Sequence, residues 1–157
     1  MDLHRVIELF QKSFSASLSD KEKEDLDENI LKGMRFLCAE DNELNMEIAE
    51  FVLQNEGAVV TKAWNGQEAV DIFRKSRPGE FDVILMDIMM PEMDGLEATR
   101  TIRNLDREDC KKIPIYAMSA NAFDEDVKRS LASGMNGHLS KPVNLQVLEK
   151  TLQKVLG

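Results

Sequence analysis

The sequence predicts a doubly wound α/β domain, a five-stranded parallel sheet with helices on both faces, preceded by a helical extension. Three observations carry this. Five short runs of apolar and β-branched residues alternate with stretches whose apolar residues recur at three- and four-residue spacing. The alternation is strict, and right-handed crossovers between successive strands place such helices against both faces of a parallel sheet. Gly57, Gly79 and Gly134 stand where the helical stretches should stop.

Taken in order, residues 1–33 read as the extension. Leu3, Val6, Ile7, Phe10, Phe14 and Leu18 form one helical stripe, and Ser19 with Glu22 makes a capping-box pattern. A second short helix carries Leu26, Ile30 and Leu31 before Gly33. A linker or a dimerising arm fits this segment, because a continuous apolar stripe must cover something. Residues 34–157 form the main domain. Its first strand is Arg35–Ala39, and Asn42 reads as the N-cap of a helix with Leu44, Ile48, Phe51 and Val52 inward. Ala58–Ala63 is the second strand, followed by a helix bearing Ala69, Ile72 and Phe73. Phe81–Met86 is the third, followed by Ala98, Ile102 and Leu105. Ile113–Met118 is the fourth, with Phe123, Val127 and Leu131 behind it. Gly137–Leu139 is the last, and Leu145, Leu148, Leu152 and Val155 close the chain.

Composition narrows the function. The chain has 157 residues, 43% hydrophobic, which is enough for a buried core. Its 29 acidic against 20 basic residues give a net charge of −9, which argues against non-specific binding to nucleic acid or to an anionic membrane. Two cysteines make neither a disulfide framework nor a zinc site and point to a reducing compartment. Cys38 reads as a small buried hydrophobe and Cys110 as a bystander. No stretch approaches the length of a membrane span, so a cytoplasmic chain is expected. Trp64 reads as surface packing and His4 as solvated; the methionines read as core filling or pocket rim.

In a doubly wound sheet, ligands bind beyond the carboxyl ends of the strands. Glu40 and Asp41 follow the first strand, the third ends in Asp87, the fourth runs out at Ser119, and Lys141-Pro142 follows the fifth. The first turn has no glycine-rich phosphate loop, which disfavours nucleotide binding of that kind. Convergent carboxylates repel, and burying them is costly without a neutralising charge. A hard cation such as Mg²⁺, which takes carboxylates, waters and a phosphate oxygen, supplies it. Lys141 adds a point charge, and Ser119 a hydrogen-bond donor. A carboxylate so placed can attack phosphorus to give an acyl phosphate.

The runs Glu40-Asp41-Asn42, Leu85-Met-Asp87-Ile-Met-Met-Pro91-Glu-Met-Asp94-Gly95, Met118-Ser119-Ala120 and Lys141-Pro142 occur in this order. Together they resemble the receiver domain of two-component response regulators. The stretch Met135 to Val143 is most similar to receivers of hybrid sensor histidine kinases. The resemblance implies a flavodoxin-like strand order, 2-1-3-4-5. It implies that Asp87 accepts a phosphoryl group from a phosphohistidine, and that Asp41, Asp87 and the backbone carbonyl of Met89 bind Mg²⁺, with Glu40 acting mostly through water. Lys141 would contact the phosphoryl group, and its bond to Pro142 would be cis. Ser119 would move toward the phosphoryl oxygen, and His138 stands where the family often has a switching Tyr or Phe. The switching face would be the fourth helix, fifth strand and fifth helix, including Lys128, Arg129 and His138.

The implied partners are a histidine kinase or a histidine phosphotransfer domain docking near the first helix. No nucleic acid or membrane contact is expected of this chain. A dimer could form through residues 1–33 or through the switching face. The chain would be a phosphoacceptor rather than a turnover enzyme, and its parent a sensor histidine kinase carrying it at the C-terminus. A free-standing single-domain regulator is the alternative. A phosphohydrolase of the haloacid-dehalogenase type would need an acid/base Asp two residues after Asp87, where Met89 stands. Apolar Met89, with Asn121 as the other residue placed near the hydrolytic water, predicts slow loss of the phosphoryl group.

Overall fold

The computed structural model describes residues 3–7, 9, 30–120 and 124–156. The strands are β1 (Arg35–Ala39), β2 (Val59–Ala63), β3 (Val83–Asp87), β4 (Ile115–Ser119) and β5 (Gly137–Ser140). The helices between and after them are α1 (Glu43–Asn55), α2 (Gly66–Lys75), α3 (Gly95–Arg103), α4 (Asp124–Ser133) and α5 (Leu145–Leu156), with one further helical turn at Asp109–Lys112. All pairings are parallel and the order is β2-β1-β3-β4-β5. Asp87 and Ser119 are the last residues of β3 and β4, as expected.

Side chains alternate across a strand with a period of two, and this divides the core into two layers. Leu37, Ala39, Ile84, Met86, Ile115 and Ala117 meet α2 and α3 through Val70, Phe73, Ala98 and Ile102. Phe36, Cys38, Val83, Leu85, Tyr116 and Met118 meet α1 and α5 through Met46, Val52, Leu53, Leu148 and Leu152. The central strands are buried on both faces, which is why they read as unbroken apolar runs rather than alternating ones. Asn42, Asn65 and Asp94 each cap the helix that follows by accepting the backbone N–H three residues on. Gly57 and Gly134 end α1 and α4 with φ of +86° and +107°, a region open to glycine at no steric cost.

Two helix faces differ from expectation. In α1 the buried residues are Met46, Ala49, Val52 and Leu53, while Leu44 is 53% exposed. The helix carries two overlapping apolar stripes, and the outward one, with half-buried Ile48 and Phe51, packs at the edge of the core. In α4, Leu131 is 51% exposed and Val127 half-buried, while Ser130 and Ser133 are buried. Two small side chains let α4 approach the sheet, and the Ser133 hydroxyl donates to the Ser130 carbonyl at 2.7 Å, so its burial leaves it hydrogen-bonded. Phe123 lies outside the described residues.

The described part of residues 1–33 packs on the α1–α5 layer. Ile7 and Leu31 are buried in that cluster and Leu3 lies against it. His4 is exposed, as expected, and also stacks on Phe51 with ring centroids 4.2 Å apart, because the short helical segment at residues 3–7 lies over the outer stripe of α1. The proposed capping box at Ser19 and Glu22, and Phe10, Phe14, Leu18 and Leu26, lie outside the described residues. Cys38 and Cys110 are both buried, Cys110 with its thiol directed at the carbonyl oxygens of Leu105 and Arg107.

Gly95 fixes how closely α3 approaches β3, since a Cβ there would fall on the Asp87 carbonyl oxygen. Gly95→Ala should lower the unfolding free energy by about 1–3 kcal/mol, the range for overpacking a close contact. Urea denaturation measures this, and a loss within error of zero would contradict so tight a packing.

Candidate functional site

The parallel sheet brings the expected residues to one edge. Glu40 follows β1, with its backbone N–H donating to the Ala63 carbonyl at 3.0 Å, so the ladder with β2 continues into the site. Asp87 ends β3. Lys141 follows β5, its backbone N–H donating to the Ser119 carbonyl at 2.8 Å, and the Lys141-Pro142 bond is cis, as the resemblance implied. Glu40, Asp87 and Lys141 thus spring from backbone tied to a neighbouring strand.

Lys141 Nζ lies 2.9 Å from Glu40 Oε2 and 2.9 Å from Asp87 Oδ2. Both carboxylates are only 2% exposed. Glu40 Oε1 also accepts the Asn42 N–H at 3.0 Å, and Asp87 Oδ1 accepts the Met89 N–H at 3.3 Å. Asp41 is exposed at the rim. Among the described residues, Glu40, Asp41 and Asp87 can each offer a carboxylate oxygen within 4.8 Å of the others. Hard, anionic oxygen donors at this spacing suit Mg²⁺ and are a poor match for a soft metal.

Three carboxylates around one ammonium leave a formal charge of −2, and the electrostatics reflect it. Burial pushes Asp87 up from 3.8 to about 7; the Lys141 hydrogen bond opposes this, and the Glu40 charge reinforces it. Burial alone would pull Lys141 down, yet its hydrogen bonds to Asp87 and Glu40 outweigh that and hold it above its ordinary value. Behind the site, burial and then the charges of Glu40 and Asp87 push the Cys38 thiol up to about 12, so it stays protonated and inert.

Ser119 and His138 stand together at the side of the pocket, with Ser119 Oγ 2.7 Å from His138 Nε2. Met89 is 77% exposed and its side chain turns to solvent. Lys128 and Arg129 are exposed on α4. Asn121 lies outside the described residues. Two contributors stand in the quoted sequence runs with no site role read for them: the Asn42 N–H that anchors Glu40, and Gly95 against the Asp87 carbonyl. The Asp94-Gly95 pair opening a helix is the signal that could have pointed to the second.

The model of the response regulator receiver domain family matches residues 36–153. Histidine kinase 3 of Arabidopsis thaliana is 34% identical over 144 residues, covering 80% of this chain and 14% of that protein. The chain therefore spans about one-seventh of the length of such relatives. Among solved structures, the receiver domain of the sensor histidine kinase PA1611 from Pseudomonas aeruginosa, with a magnesium ion in its active site cleft, is 38% identical with a TM-score of 0.70, covering 80% of this chain and 98% of that one. The receiver domain of the yeast regulator Ssk1, solved with the Saccharomyces cerevisiae histidine phosphotransfer protein Ypd1, is represented by a match of 30% identity and TM-score 0.67, covering 78% and 88%. A parallel sheet with acidic residues and a lysine at its carboxyl edge, matched by the family over this span, defines a receiver module. The chain belongs to the response regulator receiver domain family and is a receiver domain of two-component phosphorelay signalling.

The Asp87 carboxyl carries a pH dependence of known sign. Its folded pKa, about 7, exceeds its ordinary 3.8, so its favourable contribution is complete below about pH 4 and disappears as pH rises through 7. In the absence of divalent cations, Asp87→Asn should gain stability relative to wild type between pH 5 and pH 8 (about the window this shift spans). Urea denaturation at both pH values in a chelating buffer measures the difference. A constant difference, or one that shrinks toward alkaline pH, would contradict the burial of an uncompensated charge.

Proposed function

We propose that Asp87 accepts the phosphoryl group. The observation that carries this is the Lys141 ammonium 2.9 Å from both Glu40 and Asp87 at the carboxyl edge of the sheet. A carboxylate oxygen of Asp87 attacks the phosphorus of a phosphohistidine; the new O–P bond forms as the P–N bond breaks, and the electron pair returns to the imidazole of the donor. Lys141 leaves its carboxylate partner to meet the charge on the phosphoryl oxygens, and the Ser119 hydroxyl donates to one of them. Glu40, Asp41, Asp87 and the Met89 carbonyl are the residues that would hold Mg²⁺, with Glu40 acting mainly through water. A bound Mg²⁺ supplies neutralising charge for the transferring group. Because Met89 offers no polar side chain to orient water, the acyl phosphate is slow to hydrolyse.

The phosphodonor in this reading is a histidine phosphotransfer protein or a histidine kinase domain. The yeast complex of such a protein with a receiver supports it, as do the kinase relatives. The small share of those kinases that the chain spans supports a receiver, residues 34–157, borne by a hybrid histidine kinase, with residues 1–33 as the preceding extension. No helix among the described residues is long and apolar enough to cross a membrane, and a cytoplasmic setting is the corresponding proposal. Phosphorylation shifts a pre-existing equilibrium of the α4-β5-α5 face.

Incubation with a small-molecule phosphodonor and Mg²⁺, followed by intact-mass spectrometry, tests the assignment. Wild type should gain one phosphoryl group only with Mg²⁺ present, and Asp87→Asn none. Equal Mg²⁺-dependent modification of both would overturn Asp87 as the acceptor.

A further inference from the structure

The contact between Ser119 and His138 follows from sheet register. In the β4–β5 ladder Ala117 faces His138 and Ser119 faces Ser140. Parallel partners project to the same face, and residues two apart along a strand share a face. Ser119 and His138 are therefore diagonal neighbours on one face of the sheet, and their side chains close to 2.7 Å between Oγ and Nε2. The Lys141 N–H bound to the Ser119 carbonyl at 2.8 Å holds the backbone of that pair in register beside the phosphoacceptor.

A serine hydroxyl has one proton and donates one hydrogen bond at a time, whereas a neutral imidazole has one ring nitrogen able to accept. A Tyr or Phe in place of His138 has no ring acceptor of this kind. We propose that His138 is a positioning residue that latches Ser119 in the unphosphorylated protein: the Ser119 hydroxyl donates to Nε2 of an imidazole carrying its proton on Nδ1. This proposal rests on Asp87 as the phosphoacceptor, because the latch matters by competing with the hydrogen bond from Ser119 to a phosphoryl oxygen on Asp87. The two bonds use the same proton, so the latch must open before the second can form. The latched population reduces the apparent affinity for a phosphoryl group by the fraction it removes from the competent state. One exchanged hydrogen bond of ordinary net strength corresponds to about a 3- to 10-fold effect.

Two measurements decide it. In metal-free protein, nitrogen NMR of the His138 ring should show an unprotonated Nε2 that accepts a hydrogen bond, and Ser119→Ala should shift that resonance. A titration with beryllofluoride and Mg²⁺ should give a midpoint about 3- to 10-fold lower in His138→Leu than in wild type. His138→Gln, whose amide reaches the position of Nε2, should return the midpoint toward wild type. An Nε2 that is protonated, or that does not respond to Ser119→Ala, overturns the latch, as does a His138→Leu midpoint equal to or above that of wild type. If His138→Leu fails to fold, the ring-nitrogen comparison decides alone. A wild-type chain that binds no beryllofluoride contradicts the Asp87 reading instead, and the ring nitrogen still decides the latch.

Discussion

Lys141 Nζ sits 2.9 Å from a carboxylate oxygen of Glu40 and 2.9 Å from one of Asp87, both almost completely buried, with Asp41 close by at the rim. Removing a carboxylate from water costs several kcal/mol even after relaxation, and one ammonium offsets one such charge. The arrangement is therefore short of positive charge by construction. A proton on Asp87 is one remedy, which is why burial drives that carboxyl up to about 7. A divalent cation is the other, and a cation of this kind lies in the active site cleft of the PA1611 receiver. In the proposed reading a divalent cation offsets this deficit, and the offset is what lets an anionic phosphoryl group be accepted there.

Holding those charges together requires a scaffold that does not yield. β1 and β3 are adjacent central strands, so Glu40 and Asp87 emerge side by side from backbone buried on both faces. Lys141 reaches them from beyond β5, with its own N–H bonded across to β4. Gly95 lets α3 begin directly against the Asp87 carbonyl, closing the floor of the site. On the other side, the Ser119–His138 contact, 2.7 Å between Oγ and Nε2, ties the β4 end to β5.

Most of this was legible in the chain, for physical reasons. Central parallel strands must be apolar on both faces, and their carboxyl ends are where polar residues can gather, so Glu40, Asp41, Asp87, Ser119 and Lys141 stood out against their surroundings. The inward faces of α1 and α4 were less legible. Leu44 and Leu131 lie on apolar stripes that periodicity cannot distinguish from the buried ones, and which stripe turns inward depends on packing that a single helix does not encode. The burial of Ser130 and Ser133 reads as polar in sequence because the intrahelical hydrogen bond that satisfies Ser133 is invisible there. The stacking of His4 on Phe51 joins residues far apart in the chain, and no local pattern announces it. The same holds for Ser119 and His138. Each was notable alone, but their hydrogen bond is set by the diagonal register of β4 and β5.

The proposed function requires the three carboxylates Glu40, Asp41 and Asp87, short of positive charge, to bind a hard cation. The most direct measurement is a Mg²⁺ titration of the unphosphorylated chain followed by backbone amide NMR. Saturable shifts centred on residues 40–42 and 87–89, weakened by Asp41→Asn, are the predicted result. Shifts spread evenly over the acidic surface without saturation, or binding untouched by Asp41→Asn, would contradict it.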